Sequence, residues 1–125
     1  MREVNDVSTM KVTRSLAMSA KASQGAMICV KGDGIGSMAV LQDDRKVIVG
    51  RDPSLCSVVL ANPKVSRKHL EITYIGNLKK YRVVDYSSNG TYFSNKSRLV
   101  KNQEYYLDPA TELWLGSGET RYKLR

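Results

Sequence analysis

The stretch Pro63-Lys64-Val65-Ser66-Arg67-Lys68-His69-Leu70 concentrates the chain's most reactive side chains: a serine hydroxyl, the single histidine, and the cations Arg67 and Lys68. Serine near histidine suggests a nucleophile with its base, which must lie within hydrogen-bond reach of the hydroxyl. On an extended chain, positions three apart point opposite ways, so Ser66 and His69 are expected on opposite faces. The sequence places no acid to orient the ring and contains no G-x-S-x-G elbow. Catalysis is therefore not expected, and His69 is read as a structural ring tying the Ser66 loop to the backbone below it. A single histidine provides no transition-metal cluster, and neither metal nor cofactor is implied.

The remaining chemistry is anion binding, and two further stretches share it. Arg51 follows the apolar run Val47-Ile48-Val49 and enters a turn, which projects its planar donor fork from a fixed base. That fork matches phosphate oxygens two at a time. Taken alone, Arg51 reads first as a solvated surface arginine. Ser87-Ser88-Asn89-Gly90-Thr91 contains Asn-Gly, the commonest hairpin turn, although Asn89 also carries the donors and acceptor needed to read a peptide backbone.

These loops need a scaffold, and the pattern supplies one. Met27 to Val30, Met38 to Leu41, Lys46 to Val49, Val58 to Leu60, Leu70 to Tyr74, Tyr81 to Val83, Tyr92-Phe93, Glu104 to Leu107, Leu113 to Leu115 and Glu119 to Leu124 read as short strands. Gly32-Asp33-Gly34-Ile35-Gly36 reads as a hairpin loop, and Asp52-Pro53-Ser54 supplies turn chemistry. Leu70, Ile72 and Tyr74 alternate with Glu71 and Thr73, predicting a half-buried strand. Turn signals every 8 to 12 residues or so predict an all-β sandwich or barrel whose binding residues cluster on loops at one end. Residues 1–25 lack a sustained period and read as a tail or linker, with a short helix near Thr13 to Lys21 as an option; residues 26–125 form the domain.

Bulk properties narrow the partners. At 125 residues the chain has material for one core. A net charge of +8 favours acidic partners, whether phosphorylated peptide, nucleic acid or anionic lipid. Cys29 and Cys56 lie outside any C-x-x-C spacing and read as reduced, packed thiols. No apolar run reaches the ~18 residues of a membrane span, and no export signal is read. A cytoplasmic setting is the expectation.

Three segments in order, Val49-Gly50-Arg51, Val65-Ser66-Arg67-Lys68-His69-Leu70 and Asp85-Tyr86-Ser87-Ser88-Asn89-Gly90-Thr91, resemble the forkhead-associated (FHA) domain family. The resemblance runs from Met27 to Leu124. It implies an eleven-stranded β-sandwich that binds phosphothreonine peptides at its loop end. It matches Arg51, Ser66, Arg67 and Ser88 to phosphate-contacting positions, and Asn89 to the asparagine that bonds the ligand main chain. Lys64 matches a position that in some members contacts a ligand side chain about three residues after the phosphothreonine; here it either favours an acidic residue or stays solvated. Gly50, His69 and Gly90 match scaffold residues that shape the loops. The chain departs from the usual pattern at Ser57, near which many members carry an acidic or amide residue, and at Lys96, where many have glycine; both put loop geometry in question.

The function implied is recognition of a threonine-phosphorylated protein or peptide downstream of a Ser/Thr kinase, for recruitment or signalling. Two rivals remain. A basic nucleic-acid-binding domain would interleave aromatics with cations on one face, whereas Tyr74, Tyr81 and Trp114 are expected in the core. A phosphate-independent assembly scaffold of the same fold would use another face. Thr9 and Thr13 in the tail are a further option, as kinase targets that the domain itself would bind.

Overall fold

Runs rich in β-branched and aromatic residues, punctuated by Gly, Asn and Asp, form ten strands among residues 24–125, the part of the chain described by the computed structural model. They are β1 (Gln24–Lys31), β2 (Met38–Gln42), β3 (Lys46–Gly50), β4 (Val58–Val59), β5 (Leu70–Ile75), β6 (Lys80–Asp85), β7 (Thr91–Phe93), β8 (Glu104–Leu107), β9 (Glu112–Leu115) and β10 (Thr120–Leu124). The described residues contain ten strands, where the resemblance implies eleven for the family, and the first described strand begins at Gln24, ahead of the anticipated boundary at 26. The helix considered over Thr13 to Lys21, with Thr9 and Thr13, lies outside the described residues. No described helix is long and apolar enough to cross a membrane.

The strands form two five-stranded sheets, ordered β2-β1-β10-β9-β7 and β4-β3-β5-β6-β8. Every pairing is antiparallel except β3 with β4. Between the sheets lie Met27, Leu41, Val49, Leu70, Ile72, Val83, Leu113, Leu115 and Leu124, each at most 1% exposed. Burying each such side chain contributes about 1.5–3 kcal/mol. The 32–36 segment does close the β1–β2 hairpin, with Gly36 N–H donating to Cys29 O at 2.8 Å.

Three sequence expectations are corrected. Asn89-Gly90 is not a hairpin turn: β6 and β7 belong to different sheets, so the loop crosses from one layer to the other. Strand β5 is buried on both faces, because it is central in its sheet; on its outer face Glu71 is covered by Arg82 (3.1 Å) and the Tyr86 hydroxyl (3.1 Å). Tyr74 and Tyr81 do pack in the core, with ring centroids 4.9 Å apart, but Trp114 does not. The alternation of β9 turns Leu113 and Leu115 inward and leaves Trp114 half-exposed under the guanidinium of Arg121, 3.5 Å from the ring centroid.

Register gathers the loops. Val49 pairs with Leu70 and Leu70 with Asp85 across one sheet, while Leu115 pairs with Thr91 in the other. The end of β3, the start of β5, the end of β6 and the start of β7 therefore lie at one end of the sandwich. The β3–β4, β4–β5 and β6–β7 loops emerge there together.

Candidate functional site

His69 holds the β4–β5 loop from beneath. Residues 66–69 turn rather than extend, so the Ser66 backbone N–H donates to His69 Nδ1 at 3.0 Å, while the Ser66 hydroxyl is directed to Ser88 and the His69 ring is buried. The other ring nitrogen lies 3.0 Å from Gly90 O. With Nδ1 accepting, Nε2 carries the proton and donates to that carbonyl. Both nitrogens are committed to backbone, which leaves no free base for the Ser66 hydroxyl. Burial pushes the His69 pKa below its usual value, against smaller opposing effects from Gly90 O and Asp85, and favours the neutral ring.

The β3–β4 loop packs tightly on the same turn. Arg51 N–H donates to Ser66 O at 3.0 Å and Asp52 N–H to Arg67 O at 3.2 Å. Gly50 permits this approach, since a Cβ there would lie 2.3 Å from Arg67 O. Arg51 Nε–H donates to Val65 O at 3.0 Å, which anchors the guanidinium while its terminal amino groups have no partner among the described residues. Asp52 does not neutralise it. Its carboxylate takes two hydrogen bonds from Ser54, from the hydroxyl at 2.7 Å and the amide at 2.9 Å. These bonds first, with smaller contributions from the nearby charges of Arg67 and Arg51, hold it below the usual carboxylate range against the opposing effect of desolvation.

The β6–β7 loop closes the arrangement. Ser88 N–H donates to Ser66 Oγ at 3.0 Å, and Asn89 Nδ2 donates to Lys64 O at 2.9 Å. Gly90 adopts φ +99° and abuts Arg98 and Tyr92, so both conformation and space favour glycine. The structure thus joins Ser66 to Ser88, Lys64 to Asn89, Gly50 to Arg67 and His69 to Gly90. The side chains of Arg51, Lys64, Arg67, Ser88 and Asn89 are exposed around this junction. Lys68 separates from the group, its ammonium 4.3 Å from the centre of the Tyr86 ring.

The ion pairs among the described residues join Lys46 and Arg82 to Glu71, Arg82 to Glu104, and Lys80 to Asp108. None involves Arg51, Lys64, Arg67 or Lys68. Among the described residues the loop end therefore presents cations and hydroxyls without a carboxylate bonded to them, an arrangement suited to a compact dianion.

A sequence model of the FHA domain matches residues 47–116, more than half of the chain. The chain belongs to the FHA domain family. The crystallised FHA domain of the CT664 protein from Chlamydia trachomatis is 26% identical, with a TM-score of 0.70 over 82% of this chain and 96% of that one. A solved domain described for its phosphothreonine-dependent FHA interactions is 27% identical, with a TM-score of 0.65 over 82% and 95%. The human nuclear inhibitor of protein phosphatase 1 is 25% identical over 96 residues, covering 77% of this chain and 27% of that protein. This FHA domain thus corresponds to about a quarter of the length of that relative.

Two features of this FHA domain escaped sequence reasoning. Buried Asp85 accepts from Ser87 Oγ at 2.6 Å and Thr91 Oγ1 at 2.8 Å, and Ser87 Oγ in turn accepts from Gly90 N–H at 2.8 Å, so a carboxylate fixes the β6–β7 loop from inside. Asp-x-Ser ahead of Asn-Gly was a readable sign of such local bonding. Arg98 lies beside Gly90, with Nη2 3.4 Å from Ser88 O and the guanidinium 6.0 Å from the centre of the Tyr92 ring. Nothing local in the sequence signals that placement.

The two departures from the family pattern settle locally. Ser57 N–H donates to Ile48 O at 3.0 Å, holding the short parallel pair of β3 with β4. Lys96 adopts φ 71°, so it occupies a left-handed turn position that glycine would take without strain.

Proposed function

We propose that this FHA domain is a phosphothreonine-peptide-binding module that recruits or senses Ser/Thr-phosphorylated proteins and performs no catalysis. The observation that carries the reading is the bond from Ser88 N–H to Ser66 Oγ, beside an Arg51 anchored on Val65 O. Ser66 accepts in that bond, so its own proton remains available to an incoming oxygen. A phosphate monoester brings roughly −1.5 to −2 charge and three acceptor oxygens, which call for several converging donors. Arg51, Ser66, Arg67 and Ser88 are the proposed donors, Asn89 reads the ligand backbone, and Lys64 meets a ligand side chain further along. Gly50, His69 and Gly90 support them.

The phosphothreonine-dependent interactions of a similar FHA domain support the ligand class. A Ser/Thr kinase acting upstream and a cytoplasmic setting belong to the same proposal. The test is a binding screen against oriented phosphothreonine peptides, with phosphoserine and unphosphorylated controls. Phosphothreonine-selective binding is expected, and equal binding to the unphosphorylated set would overturn the reading. A mobility shift with mixed-sequence DNA or RNA that persists at moderate salt would favour nucleic-acid binding instead.

A further inference from the structure

A cleft of about 640 Å³ lies beside the phosphate-binding loops, and the reading above does not use it. One wall is the β1–β2 hairpin with Asp33 and Gly34; the other is β4 and the start of the following loop, from Val58 to Lys64. Tyr122 and Thr120 line it from β10. Strand β4 is at the edge of its sheet, so its outer side has no strand partner among the described residues. Val59 on this edge is 49% exposed, although Val58 and Leu60 beside it pack against the core.

The cleft is continuous with the loop junction through Lys64, whose carbonyl is held by Asn89. Its lining carries both signs of charge: Lys64 contributes an ammonium, the β4 wall is apolar, and Asp33 and Glu119 contribute carboxylates that form no ion pair with a described residue. A uniformly anionic polymer would meet repulsion there. A peptide that carries a phosphate and, beyond it, an apolar residue and a cation would meet complementary groups in this lining.

We propose that this cleft is a second binding site for the same phosphopeptide, taking the segment that follows the phosphothreonine beyond Lys64. An apolar ligand side chain rests on Val58, Val59 and Leu60, and a lysine or arginine beyond it meets Asp33 and Glu119. The extended ligand lies along the free edge of β4, the geometry of strand addition. This inference rests on the phosphothreonine reading, and its test separates the two.

Three phosphothreonine peptides are compared by fluorescence anisotropy. A short one ends at the third residue after the phosphothreonine, an extended one adds an apolar residue and a lysine, and a control carries serine and glutamate at those positions. The extended peptide is expected to bind about tenfold tighter than the other two. Val59→Asn and Asp33→Asn, both on exposed side chains, are expected to remove that gain while the short peptide's affinity and the melting temperature stay unchanged. Amide NMR shifts at Val59, Ala61 and Gly34 should accompany the extended peptide only. Equal affinity of short and extended peptides, or a gain that survives both substitutions together, would overturn the second site and leave the phosphothreonine reading intact. Failure of every phosphopeptide to bind would overturn the reading on which it rests.

Discussion

Ser88 N–H donates to Ser66 Oγ at 3.0 Å, joining two loops separated by 22 residues in the chain. The bond fixes the Ser66 hydroxyl oxygen as an acceptor and so directs the hydroxyl proton elsewhere. One short contact thereby sets the polarity of the proposed phosphate site.

Ser66→Ala removes both roles. Phosphopeptide affinity is expected to fall by about 1.5–3 kcal/mol, the worth of a hydrogen bond to a charged group, while stability falls by only about 0.5–1.5 kcal/mol. Calorimetric titration read against a urea melt of the same protein checks the split. A stability loss with affinity unchanged would place Ser66 outside the site.

Arg51→Ala is expected to cost about 2–5 kcal/mol of phosphopeptide affinity in a domain that stays folded. Arg51→Lys should recover only part of it, because an ammonium cannot keep the Nε bond to Val65 O and present a planar fork as well. Unaltered partner binding by Arg51→Ala would favour the phosphate-independent scaffold.

Gly50→Ala tests packing without a backbone penalty, since Gly50 is absent from the positive-φ glycines while its Cβ would sit 2.3 Å from Arg67 O. The loops must separate to admit a methyl group, at a cost of about 1–3 kcal/mol. A lowered denaturation midpoint and weakened phosphopeptide binding are expected together.

Acid should weaken the fold through His69. Its folded pKa is depressed by burial, so the unfolded chain binds the proton more readily. The stabilisation is fully present above the unfolded value of about 6.5 and is lost as pH falls from there through the folded value. Urea melts between pH 7.5 and 5 should show the decline, and His69→Gln should flatten it. Phosphopeptide binding should weaken separately below pH ~6, where the ligand's phosphate takes up its second proton.

The sequence made the fold and the meeting of the candidate site's three loops readable because their determinants are local. Alternation marked the strands, and Gly50-Arg51, Ser66-Arg67 and Asn89-Gly90 stood together as a family pattern. Reasoning by period failed where chain direction or neighbours decide. The turn at 66–69 brought the Ser66 backbone N–H onto the His69 ring, the central position of β5 buried Glu71, and the sheet change after Asp85 made Asn89-Gly90 a bridge between layers. The place of Arg98 beside Ser88 depends on the return of the chain after β7, which no spacing encodes.

The crossing of Ser87 to Gly90 between the layers also bears on cooperativity. Its contacts with the β4–β5 loop, Ser88 to Ser66 and Asn89 to Lys64, tie the segment that joins the two layers to a loop of one of them. A ligand held there would act as a clasp across the two layers. Phosphopeptide should therefore raise the melting temperature of the whole domain in proportion to the logarithm of its concentration, rather than protecting the loops alone.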